Sequence, residues 1–115
     1  MDINKMFDDG YAGEYRFGEN DHHYKIEVFN RYEDGETGTH VTIGEDGPHS
    51  VKVDQDISDN PSKRRHGIRI HFWSEHGSKF FVDIVQHKGD TYMSMHDAGE
   101  ISEQEMQELG SKGWG

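Results

Sequence analysis

At 115 residues the chain is the length of one domain, and with no cysteine it carries neither disulfides nor thiolate chemistry. Twenty-three Asp and Glu against 12 Lys and Arg leave a net charge of −11, which disfavours direct contact with DNA, RNA or anionic membrane. No apolar run approaches membrane-spanning length, and Met1–Asp8 lacks a signal-peptide core, so a cytoplasmic location is expected.

Eight Ile, six Val, one Leu and six Phe make a sparse apolar complement, close to the composition of disordered chains. Sustained period-2 alternation and the presence of six Phe, five Tyr and two Trp argue for a folded chain with a thin core. The charge is uneven. Residues 1–60 hold 15 acidic against 5 basic side chains, and residues 61–115 hold 8 against 7.

In chain order, residues 1–10 suit a short helical turn with Ile3, Met6 and Phe7 on one side. A first strand is expected over about Gly13–Gly18. Asn20-Asp21 then turns the chain so that Phe17 faces Tyr24 and Tyr15 faces Ile26. The next strands are His23–Tyr32 and Thr37–Gly44. They are joined at Asp34-Gly35, an Asp-Gly pair suited to a two-residue turn with positive φ at both central positions. That register sets Val28 opposite Val41 and Ile26 opposite Ile43, and a one-residue slip would turn all four side chains over. Asp46-Gly47-Pro48 leads into a strand at Ser50–Asp54, with Ile43 facing Val51 and Val41 facing Val53.

The alternation breaks over Gln55–Arg65, which reads as a crossover loop or flap. It resumes at His66–Ser74, and a loop with Gly77 in the left-handed conformation pairs Phe72 with Phe80, Ile70 with Val82 and Ile68 with Ile84. On the opposite face the same register sets Arg69 against Asp83. Lys88-Gly89 closes the last hairpin, pairing Ile84 with Met93 and Val82 with Met95. Ser102 and Glu105 form a capping box for one helix that Gly110 would end, leaving residues 111–115 as a flexible tail containing Trp114.

The expected fold is mainly β: a single domain, 1–115, with an antiparallel meander of about seven strands and a short C-terminal helix. It would form a small barrel or a curved two-layer sheet, with the face carrying Ile26, Val28, Val82 and Met95 turned inward.

The second face of the last three strands is the least ordinary surface. His71, Phe81 and His96 form one row across it, Arg69, Asp83 and Ser94 the next, with Trp73, Val85 and Tyr92 nearby. Three readings apply: the helix covers this face, a partner binds it through Arg69, His71, Trp73, Phe81 and Tyr92, or His71, Asp83 and His96 form a metal or acid–base site. Zinc catalysis needs three converging ligands, and Phe81 stands between the two histidines. Asp54–Asn60 resembles a calcium loop but lacks the central Gly and terminal Glu of an EF-hand. No phosphate-binding glycine loop opens a helix. No metal, cofactor or catalytic residue is therefore assigned, and the protein is expected not to be an enzyme.

The leading functional expectation is a non-enzymatic acidic protein that occupies the basic, nucleic-acid-binding surface of a partner such as a nuclease or polymerase. Its carboxylates would stand in for phosphates, in the manner of an anti-defence inhibitor. Glu33, Asp34, Glu36, Glu45 and Asp46 carry this reading. They lie in loops at opposite ends of one strand, ~20–27 Å apart at strand rise. Lys63-Arg64-Arg65-His66 is the one basic cluster, placed to fold onto the acidic half or to contact a phosphate. Open edge strands would also allow a homodimer.

Overall fold

The computed structural model describes residues 17–18 and 20–111. They form six antiparallel strands: β1 (Asp21–Arg31), β2 (Gly38–Ile43), β3 (Val51–Asp54), β4 (His66–Ser74), β5 (Ser78–His87) and β6 (Asp90–Glu100), followed by the helix α1 (Glu103–Ser111). All six belong to one open sheet in the order β3-β2-β1-β4-β5-β6. The meander with a short C-terminal helix is as the alternation predicts. A closed barrel is not formed. The crossover returns the chain from β3 to the free side of β1, which leaves β3 and β6 as edges on opposite sides of the sheet. Of the expected first strand, residues 13–16 lie outside the described residues, and Phe17 and Gly18 are not in a strand.

The hairpin registers are those the turns dictate. Val28 faces Val41, Val41 faces Val53, Ile70 faces Val82 and Val82 faces Met95. Lys88 (φ 52°) and Gly89 (φ 83°) both take the left-handed conformation of a two-residue turn. Asp34-Gly35 differs. Only Gly35 has positive φ (75°), and the loop closes on the Tyr32–Thr37 pair. The Asp34 carboxylate organises it instead, accepting from the Glu36 and Thr37 amides at 3.0 and 2.9 Å and from the Thr37 hydroxyl at 2.6 Å. Those bonds hold its pKa below the ordinary aspartate value.

The central seam joins residues far apart in sequence: β1 pairs with β4, placing Ile26 beside Ile70 and Glu27 beside Arg69. The crossover that makes this seam is an ordered strap. The Asp54 carboxylate accepts from the Asp56 amide, Asp56 from the Ser58 amide, Asn60 Oδ1 from the Ser62 amide and Ser62 Oγ from the Arg64 amide. Each bond spans two residues, so the strap holds its shape without a strand partner. It runs close over the sheet at two glycines. A Cβ at Gly38 would meet Ile57 and the carbonyl oxygen of Asn30, and one at Gly67 would meet Asn60 and Pro61. Ile57 and Phe29 are buried there.

At the other end of the same face lies α1. Ser102 Oγ accepts from the Glu105 amide (3.1 Å), the capping contact expected. The helix runs one residue past Gly110, to Ser111. Lys79 Nζ meets Glu105 at 3.2 Å, and Glu103, Met106 and Gln107 share a hollow with Trp73. Trp73 is 3 % exposed.

The helix covers the Trp73 end of this face, one of the readings the sequence offers, and the strap covers the Phe29 end. The face expected to lie inward is largely open: Val51 and Val53 are 65 % and 64 % exposed, and Val28, Ile43, Met93 and Met95 are also exposed. Among the described residues the buried apolar side chains are Phe29, Ile57, Phe72, Trp73, Val82 and Ile101; Phe72 and Val82 lie on the face expected inward, Phe29 and Trp73 on the other. A strap and a helix cover that face, and alternation reports only which residues share a face.

Candidate interaction surfaces

Strap and helix leave between them a band of charge crossing the sheet. It starts at the β3 edge. His40 Nδ1 lies 3.1 Å from Asp54 Oδ1, and its Nε2 lies 3.1 Å from both Glu27 Oε1 and Thr42 Oγ1. The His40 ring stacks on Phe29 with centroids 4.3 Å apart. From β4, His71 Nε2 donates to Glu27 Oε2 at 2.6 Å. Beyond it Arg69 grips Asp83 through two bonds of 2.8 and 3.2 Å, and its guanidinium lies 4.3 Å from the Phe81 centroid. His96 Nε2 closes the band on β6, 3.4 Å from Asp83 Oδ2.

The electrostatics follow from the contacts. Glu27 is lowered to about 2. The hydrogen bond from His71 is the largest cause; burial opposes it, and the charges of His71 and Lys25 and the bond from His40 assist. Such a carboxylate is ionised at neutral pH and a weak base there. The Asp83 bond raises the Arg69 guanidinium above its ordinary value, against burial. Asp83 itself is buried, with both oxygens engaged.

The Ser94, His96 and Asp83 side chains are not arranged as a nucleophilic triad. Ser94 Oγ and Asp83 Oδ2 both approach the same His96 nitrogen, Nε2, at 2.8 and 3.4 Å, whereas a nucleophilic triad uses one ring nitrogen for the hydroxyl and the other for the carboxylate. Phe81 stands between His71 and His96, stacked on the latter at 4.9 Å. Among the described residues no group of three His, Asp or Glu side chains is arranged to hold a metal. Asp54 and Asp56, which suggested a calcium loop, bond to amides within the strap.

Of the side chains nominated from sequence, the structure brings Arg69, His71 and Phe81 together within this band and buries Trp73, while Tyr92 is 51 % exposed. Glu27, His40 and Asp54 belong to the band and were not nominated. The Val41–Val53 register already implied His40 opposite Asp54; the contact of Glu27 with His71 required the β1–β4 seam, which no local turn announces.

The acidic nominees occupy different ground. Glu33, Asp34 and Glu36 lie in the β1–β2 loop and Glu45 and Asp46 in the β2–β3 loop, all exposed and at opposite ends of β2. Between the loops runs an apolar strip made by Val28, Ile43, Val51 and Val53. The basic cluster folds beside the first loop: Arg65 reaches Glu33 at 3.4 Å, and Arg31 donates to the Arg64 carbonyl at 3.1 Å.

No protein-family model, curated protein or solved structure matches the chain. No helix among the described residues is long and apolar enough to cross a membrane.

Proposed function

We propose that the chain is a non-enzymatic protein-binding modulator that docks the β1–β2–β3 side of its open sheet face on a basic partner. The single observation carrying this reading is the apolar strip with Val51 and Val53 about two-thirds exposed, bounded at both ends by carboxylate loops. Contiguous open apolar surface of this kind marks interaction sites. An apolar centre with a charged rim is the ordinary anatomy of a protein interface.

The acidic rim and the net charge of −11 select the partner: a surface with an apolar centre flanked by Lys and Arg. Grooves that take single-stranded nucleic acid combine Lys and Arg with aromatic stacking side chains, and an acidic protein seated in one excludes the nucleic acid. In this reading Arg69, His71 and Phe81 hold the sheet together rather than meet the partner.

The test uses two variants. Glu33→Lys/Glu36→Lys/Glu45→Lys/Asp46→Lys removes the rim and spares Asp34, whose carboxylate holds its loop. Val51→Asp/Val53→Asp removes the centre. Affinity capture at low and high salt should recover a nucleic-acid-binding protein in a salt-sensitive way, DNA or RNA should compete, and both variants should lose it. Recovery indifferent to salt and to the rim variant would refute the proposal.

A further inference from the structure

At the end of the sheet remote from α1, Arg64, Arg65, His66, Gln86, Lys88 and Gly89 line a cleft of about 330 Å³. We infer that this cleft binds a single phosphate group carried by a small ligand, a role distinct from the proposed protein-docking surface, which it meets at the Arg65–Glu33 contact.

The cleft gathers cations that no carboxylate holds. Among the described Lys and Arg side chains, Lys79, Arg65 and Arg69 form ion pairs. Lys25, Arg31, Lys52, Lys63, Arg64 and Lys88 do not, and of these Arg64 and Lys88 border the cleft. Arg65 adds a third cation, held at its margin by Glu33 at 3.4 Å.

The backbone that presents these cations is fixed. The Arg64 amide donates to Ser62 Oγ (3.2 Å), and Ser62 is 2 % exposed. The Arg64 carbonyl accepts from Arg31 Nε (3.1 Å) and the Arg65 carbonyl from the Arg31 amide (2.7 Å). The opposite wall is the two-residue turn Lys88-Gly89, whose left-handed residues admit little variation. Cations of two distant segments are thus presented from two fixed supports, which lowers the ordering cost of binding.

Size and charge then choose the ligand. The volume is at the small end of ligand pockets. Three cations and the Gln86 amide suit the several acceptor oxygens of one phosphate group, which Arg engages in a bidentate fork. A nucleic-acid strand is disfavoured, because its further phosphates would meet the field of a −11 protein and Glu33 at the rim.

The test is a ¹H–¹⁵N NMR titration of the full chain with inorganic phosphate and with pyrophosphate, against sodium chloride at matched ionic strength. A short single-stranded oligonucleotide forms a further arm. Saturable shifts are expected at the Arg64, Arg65, Lys88 and Gly89 amides with both phosphates, with affinity about tenfold weaker in Arg64→Gln and in Lys88→Gln. Both side chains are exposed, so the remaining resonances of each variant should be unmoved and report an intact fold. Shifts matched by chloride, or unchanged in the two variants, would overturn the inference. So would an oligonucleotide binding more tightly than pyrophosphate.

Discussion

Glu27 and His71, 44 positions apart in the chain, meet at 2.6 Å across the β1–β4 seam, and this contact is the main reason the Glu27 carboxyl titrates at about 2 instead of 4.5. The sign of its effect on stability follows. A carboxyl whose folded pKa lies below its unfolded value binds fewer protons when folded, so its contribution is complete above pH ~4.5 and is lost as pH falls toward 2. A shift of this size corresponds to about 3 kcal/mol. Urea unfolding between pH 7 and pH 2.5 should show that loss, and Glu27→Gln should flatten the acid limb. A Glu27→Gln profile parallel to wild type would show that the carboxylate is not so placed.

The Arg69–Asp83 pair predicts an asymmetry between single and double variants. Asp83 is 5 % exposed, and its bidentate partner is the main compensation for its buried charge. Arg69→Met should therefore cost about 3–5 kcal/mol, since it strands a buried carboxylate. Arg69→Met/Asp83→Leu should recover a large part of that loss, because an apolar pair removes the desolvation penalty along with the attraction. Equal destabilisation of single and double variants, read from chemical denaturation, would contradict this.

Gly38 and Gly67 predict how tightly the strap lies on the sheet. A methyl group at Gly67 meets the side chains of Asn60 and Pro61, which belong to the strap and can retreat. One at Gly38 meets the Asn30 carbonyl oxygen of β1, which cannot retreat without breaking the β1–β2 ladder. Gly67→Ala should cost about 1–3 kcal/mol and raise hydrogen exchange mainly over residues 55–65. Gly38→Ala should cost more and loosen β1 and β2 together. The same exchange pattern in both variants would argue against separate points of contact.

How far the sequence specified this molecule depends on the range of each signal. Hairpin registers were legible because a turn and the alternation flanking it are local: Lys88-Gly89 sets Ile84 against Met93 within ten residues. The Arg69–Asp83 pair came with the β4–β5 register. The β1–β4 seam was not legible. It is made by a strap with no periodicity, held by side-chain bonds such as Asn60 to the Ser62 amide. Without the seam Glu27 reads as one more surface acid, when it is the acceptor for two histidines. How far each face of the sheet is covered is not legible for a related reason. Val51 and Trp73 are both large apolar residues on strands, and only the strap and α1 decide that Val51 is open and Trp73 buried.

That decision gives a last, direct test on one face of the sheet. Val51, Val53 and Val82 are the same residue type, share the face opposite the charged band, and are 65 %, 64 % and 1 % exposed. Truncating Val82 to Ala removes methyl groups from a close-packed site, so about 1–3 kcal/mol should be lost. Val51→Thr/Val53→Thr keeps the β-branch that suits a strand and places hydroxyls where water already reaches, so stability should change by ~0.5 kcal/mol or less. The same double variant should reduce binding of a hydrophobic dye such as ANS, since the apolar strip is its natural target. A double-variant midpoint as low as that of Val82→Ala would mean that β3 is covered in the folded protein, and the proposed docking face would fall with it.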